Sequence, residues 1–111
     1  MKQAKVYMYD DWAGTLVENE EGFYFSYELK YLQKENPEPV SLTLPISHQP
    51  YFSRTALFPF FDGLIPEGWL LDIAEKNWKL NSKDRMACLL ATCRDCIGAV
   101  SIIAIQKDTN E

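Results

Sequence analysis

The sequence is poor in the residues from which most catalytic centres are built. Its 111 residues include one histidine, His48, and three cysteines, Cys88, Cys93 and Cys96. A structural zinc site needs four ligands, and His48 stands far from the cysteines in the chain. The five glycines, Gly14, Gly22, Gly63, Gly68 and Gly98, are scattered, so no loop of them can cradle a phosphate. There is no HRD-like catalytic loop and no DFG-like metal-binding triplet. Cations are scarce: 11 Lys and Arg against 16 Asp and Glu give a net charge of −5. That balance argues against direct binding of nucleic acid and against anionic membrane surfaces, both of which rely on clustered cations. No apolar run approaches the roughly 18 residues of a membrane span. Met1-Lys2-Gln3 leads into a polar-studded strand pattern rather than a signal peptide, which makes a cytoplasmic location the default expectation.

What is present is ordinary globular material with one bias. Hydrophobic residues make up 47% and charged residues 24%, well away from disordered composition. The length suits one domain, expected over residues 1–106, with a frayed polar tail at 107–111. The bias is a 14% aromatic share, much of it between Tyr51 and Trp69. Such residues are enriched in cores and at protein interfaces alike.

The pattern along the chain predicts an α+β fold, with about five short strands in a small antiparallel sheet and two to three short helices. Val6–Tyr9 reads as a strand ended by a turn over Asp10–Gly14. Thr15–Val17 resumes the strand pattern, Glu18–Gly22 forms a second polar turn, and Gly22–Tyr27 is an aromatic third strand. Glu28–Asn36 predicts a short helix packing through Leu29, Leu32 and the stems of Tyr31 and Lys34, stopped by Pro37 and Pro39. Val40–Pro45 alternates with period two and predicts a strand with Val40, Leu42 and Leu44 on one side. Ile46–Thr55 reads as loop. A helix is expected over about Pro66–Trp78, with Pro66 in its first turn. Another is expected over Lys83–Cys93, with Ser82 as N-cap and Met86, Leu89, Leu90 and Cys93 as its buried stripe. Ala99–Ile105, the most β-branched run, predicts a buried closing strand.

The remaining chemical signals are weak. Cys93-Arg94-Asp95-Cys96 is a CxxC, but Cys93 falls at the predicted C-terminal end of a helix, where the dipole disfavours a thiolate. Buried free thiols are the expectation. The adjacent pairs Asp10-Asp11 and Glu20-Glu21 sit in turns and serve solubility. No metal site, no cofactor and no enzymatic centre is expected.

The segment Leu57–Leu70 is the least generic. Phe58, Phe60, Phe61, Leu64 and Ile65 are expected to cap the open end of the sheet, because large apolar side chains are usually core. Trp69 is different: it stands in the first turn of a helix that has an apolar face without it. Exposed there, it would be a strong anchor for a protein partner.

Three blocks now resemble a known family, the N-terminal subdomain of HipA-type serine/threonine kinases of bacterial toxin–antitoxin systems. They are Pro39–Pro45, with Ser41, Leu42, Leu44 and Pro45; Phe60–Trp69, with Phe60, Phe61, Asp62 and Gly63; and Arg94–Val100, with Arg94, Asp95, Gly98 and Ala99. The resemblance spans nearly the whole chain and departs at Cys93, where the family often has glycine. It implies that ATP binding and phosphotransfer belong to later parts of such kinases. It also implies a free-standing, HipS-like form that neutralises a HipA- or HipT-like kinase by direct contact; the expected contact residues around the Trp69 anchor are Leu64, Ile65, Pro66, Glu67 and Gly68. A HipB-like DNA-binding protein would join only through that complex. The alternative is that the chain is the N-terminal regulatory domain of a full-length kinase toxin.

Overall fold

Alternation of apolar and polar residues in the first quarter of the chain builds most of the sheet. In the computed structural model, which describes residues 2–65, 84–92 and 99–105, the strands are β1 (Lys2–Met8), β2 (Asp11–Asn19), β3 (Gly22–Tyr27), β4 (Tyr51–Ser53) and β5 (Val100–Ala104). They form one antiparallel sheet in the order β4-β3-β2-β1-β5. Among the described residues three short helices accompany it: α1 (Leu29–Leu32), α2 (Pro59–Asp62) and α3 (Arg85–Thr92).

One face of the sheet is the core. Ala4, Val6, Leu16, Phe25 and Ile102 are at most 1% exposed, and Phe61 of α2 with Met86 and Leu89 of α3 are fully buried with them. The other face carries Lys5, Tyr7, Val17 and Tyr24, all partly exposed. There Lys5 Nζ stands 4.4 Å from the centre of the Trp12 ring and Tyr24 packs on Phe52 at 4.8 Å.

The first turn is shorter than its composition suggests. Only Tyr9 and Asp10 turn, with Tyr9 at φ 57° and Met8 paired to Asp11. The expected turn through Gly14 is strand instead, and the register shift between Val6 and Tyr7 absorbs one extra residue as a bulge. Gly14 is needed for another reason. A Cβ there would lie 2.7 Å from the Phe25 ring and 2.6 Å from the Ser26 carbonyl oxygen. At the second turn Asn19 Oδ1 accepts from the N–H groups of Glu21 and Gly22. Gly22 there has φ 146°, and its Cα faces Ser53 so closely that a Cβ would come within 2.5 Å of that residue's carbonyl.

Several expectations are corrected. The helix predicted over Glu28–Asn36 is a single turn; Tyr31 packs inward as expected, whereas Leu29 is exposed. Val40–Pro45 is not a strand. Ser41 and Leu44 bridge to each other across a tight turn, so Val40 and Leu44 are buried while Leu42 points outward at 93% exposure. Period-two spacing is also what a four-residue turn shows when its ends are anchored, and the hydroxyls of Ser and Thr favour the turn by bonding nearby backbone. Within the expected loop 46–55, Tyr51–Ser53 adds β4 to the sheet through Phe23, Tyr24 and Phe25. β5 is an edge strand with only Val100 and Ile102 buried, so it is not covered on both faces. The cap of α3 is Asp84, whose Oδ1 accepts from Ala87 N–H at 3.1 Å; Ser82 lies outside the described residues, as do the helix expected at Pro66–Trp78, the CxxC and the tail.

Because Phe25 fills the space above Gly14, Gly14→Ala should force the ring or β3 to move. A loss of about 1–3 kcal/mol is expected, the usual cost of overpacking a core. Urea unfolding of the two proteins measures it; equal midpoints would show that the ring has room to give.

Candidate functional site

The second motif block of the sequence meets the sheet through α2. Pro59 begins α2, where its missing N–H is no loss. The helix is one turn long and ends at Gly63. Leu64 and Ile65 extend it by turns, their N–H groups donating to Phe61 and Asp62 carbonyls at 3.0 and 3.2 Å. Phe61 is the pivot, with ring centres 5.3 Å from Phe25, 6.3 Å from Phe58 and 5.1 Å from Phe60. The aromatic segment therefore packs on the core, as expected for Phe58, Phe60 and Phe61.

Asp62 fixes this turn against α3. Arg85 Nε donates to Asp62 Oδ1 at 2.6 Å and its Nη2 to Oδ2 at 3.3 Å. The carboxylate in turn raises the Arg85 pKa further above its ordinary range. A bidentate pair of this kind fixes orientation as well as distance. Arg85 escapes a reading by motif, since it lies 23 residues away from Asp62.

The first motif block is held by three tyrosines. Tyr27 of β3 accepts from Val40 N–H at 3.0 Å and donates to the Leu44 carbonyl. Tyr31 of α1 donates to the Glu38 carbonyl at 2.7 Å, and Tyr51 of β4 to the Pro45 carbonyl at 2.6 Å. Segment 38–45 is thus tied to three elements of the fold. Its turn is closed by Leu44 N–H on the Ser41 carbonyl.

The predicted contact residues separate at this point. Leu64 is partly buried against the core, and Ile65 is 5% exposed, which leaves little of its side chain for a partner. Pro66, Glu67, Gly68 and Trp69 lie outside the described residues, as do Arg94, Asp95 and Gly98; Ala99 packs partly against the core. Ser41 and Thr43 flank the exposed Leu42 in the turn, and the Pro45 carbonyl just beyond it accepts from Tyr51.

Among the described residues, chemical groups suited to catalysis are not gathered. No three His, Cys, Asp or Glu side chains among them could share a metal ion. His48 is exposed, in the loop before β4. Cys88 is fully buried, and burial pushes its thiol up from the usual range despite the nearby Arg85, the opposite of an activated nucleophile. An open cleft of about 720 Å³ between the β2–β3 turn and α2 is lined by charges of both signs, among them Glu18, Glu20, Arg54, Asp62 and Arg85. Beside it Lys2 pairs with Asp84 at 3.2 Å and Glu18 at 3.6 Å. The two Lys2 pairs tie β1 to β2 and to the start of α3. No helix among the described residues is long and apolar enough to cross a membrane.

Comparison with known proteins decides the family. The model of the HipA N-terminal domain matches residues 4–103. The chain belongs to the HipA N-terminal domain family. An uncharacterized protein of Haemophilus influenzae is 36% identical over 102 residues, with 92% of each chain covered. A solved structure described as the N-terminal domain of HipA toxin superposes with a TM-score of 0.74 at 30% identity, covering 97% of this chain and 96% of that one. The five-stranded antiparallel sheet with its short helices is therefore a HipA N-terminal domain fold, and the family resemblance of the three motif blocks holds.

The tyrosine anchors give this domain a measurable alkaline signature. Burial pushes the Tyr27 hydroxyl up from 10.0 to about 12, against the pull of the Val40 N–H. The unfolded chain gives up this proton first. Stability from this source is therefore complete below about pH 10, falls between about 10 and 12, and levels off above, by at most about 2–3 kcal/mol in all. Urea unfolding from pH 9 to 12 should show a shallower decline for Tyr27→Phe than for the wild type; parallel declines would assign the alkaline loss to other groups.

Proposed function

We propose that this domain is a non-catalytic binding module that docks on a HipA-type serine/threonine kinase and holds it inactive, as the antitoxin of a toxin–antitoxin system. The observation that carries the reading is the family match over residues 4–103, which accounts for nearly all of the 111 residues with a HipA N-terminal domain. The arrangement of the described residues supports it: loops tied to the sheet by tyrosine hydroxyls and a buried, unreactive thiol suit recognition better than turnover.

An interface of about 800 Å² on each partner, with a few buried anchors, is enough for specific binding. Kinases need nucleotide, metal ions and several protein elements aligned at once, so a protein bound near the nucleotide lobe can block phosphotransfer without occupying the whole site. The proposed contact segment is Leu64 with Pro66–Trp69, Trp69 being the main anchor, while the buried Ile65 side chain fastens the segment to the core; α2 and the Asp62–Arg85 pair would hold its start in place. DNA would be reached only through a further DNA-binding partner, because a net charge of −5 supplies little for phosphate contact. A second reading is favoured by the structural match, since that solved relative is the N-terminal domain of a toxin. There the domain would act in the same chain as the kinase, as a regulatory part.

Both readings are tested with the HipA-type kinase of the same organism, lacking any N-terminal domain of its own. Added as a separate chain, the present protein should bind that kinase and suppress its autophosphorylation. Trp69→Ala should weaken binding by about tenfold or more, in the range of a hot-spot residue, with the thermal midpoint unchanged. Equal affinity and equal suppression by the variant would remove Trp69 from the mechanism. Binding without suppression would favour the second reading.

A further inference from the structure

Leu42 occupies a position that the fold has prepared with unusual care for an exposed leucine. It is the second residue of the turn Ser41–Leu44, at 93% exposure, where a turn serving only solvent would carry Asn, Asp, Gly or Pro. A lone surface leucine is ordinary. Here three further observations bear on the same residue.

The two hydroxyls beside it are already paired internally. Ser41 Oγ and Thr43 Oγ1 are hydrogen-bonded to each other at 2.9 Å, Ser41 Oγ also accepts from Thr43 N–H at 3.1 Å, and the Ser41 carbonyl accepts from Leu44 N–H. Covering the tip would therefore not strip water from unpaired hydroxyls, which lowers its desolvation cost. Both ends of the turn are also fixed by one buried hydroxyl, since Tyr27 bonds Val40 N–H on one side and the Leu44 carbonyl on the other. Tyr31 and Tyr51 fix the flanking carbonyls of Glu38 and Pro45. A side chain presented on backbone fixed in this way loses little freedom on binding, which is how preorganisation adds affinity. Finally, Val40 and Leu44 are buried on either side, so the turn has no remaining use for Leu42 in its own core.

We infer that Leu42 is a second anchor of the docking surface, a preorganised apolar knob that enters an apolar socket on the kinase partner. The inference rests on the docking reading above and deepens it by adding a contact remote in sequence from Trp69. The occupant is the kinase rather than a second copy of this chain, because the solved relative has the same fold as one domain of a toxin, which has further chain for such a domain to sit against.

The test is calorimetric titration of the same N-terminally truncated kinase with wild type, Leu42→Ser and Leu42→Met, together with thermal midpoints and gel filtration of each protein alone. The expected result is binding by the wild type, at least about tenfold weaker binding by Leu42→Ser, near wild-type binding by Leu42→Met, and unchanged midpoints. Wild-type binding that Leu42→Ser leaves unaltered would overturn the inference while the docking reading stands. A clear fall in the midpoint of Leu42→Ser would overturn it too, by showing the side chain at work within the fold. A wild-type dimer that Leu42→Ser converts to monomer would give the knob to a second copy and overturn its assignment to the kinase. If the wild type does not bind the kinase, the docking reading fails and the inference with it.

Discussion

Phe25 is the side chain on which the remaining structure depends. Its ring lies across Gly14 of the neighbouring strand, so close that no other residue fits there without movement. It meets Tyr27 edge-on at 4.9 Å and Phe61 of α2 at 5.3 Å. β3 thereby sends one aromatic row into the core and divides it between two tasks. Phe25 secures α2, and Tyr27 secures the turn at Ser41–Leu44. A small domain has few side chains to spare, and an aromatic that is both large and, in tyrosine, polar at its end can fill volume and fix backbone together.

This division explains why part of the fold is legible in the sequence and part is not. Strands β1 to β3 follow directly from alternation and aromatic content, and α3 from its Met86–Leu89 stripe. The packing of Phe58 and Phe61 follows from their size and apolar character. Alternation of Val40, Leu42 and Leu44 predicts a strand over Val40–Pro45, yet hydroxyls elsewhere settle the outcome. Tyr27 satisfies both ends of the turn, and Ser41 and Thr43 satisfy its middle. Periodicity cannot report a hydrogen bond from a residue thirteen or seventeen positions away. Strand β4 escapes for a related reason: three residues after Pro50 carry too little pattern, and their pairing with Phe23–Phe25 is a property of β3.

The candidate site is legible as motif blocks rather than as geometry. Phe60–Trp69 stands out by composition and Pro39–Pro45 by its family resemblance, and the described parts of both prove to be tied to the same strand. The roles of residues within the blocks are not legible. Ile65 is core and Leu42 is surface, although both are apolar members of the same kind of motif. Arg85, which orients Asp62, carries no signal at all until α2 and α3 are placed side by side.

The joint anchorage of these segments bears on how such a domain could act. Segment 38–45 and the turn 63–65 are each attached to β3, through Tyr27 and Phe25, so a force on either is borne by the same interior strand of the sheet. A partner that engages both would meet a surface fixed in advance rather than two loops to be ordered one after the other. Ordering costs are thus met during folding, and the binding energy of each anchor is available for affinity. Slow dissociation would follow from such an arrangement in a complex, since affinity differences among related complexes lie mostly in the off-rate. For a protein proposed to hold a kinase inactive, a long residence time matters more than fast encounter, and a rigid β3 with two aromatic anchors is a physical route to it.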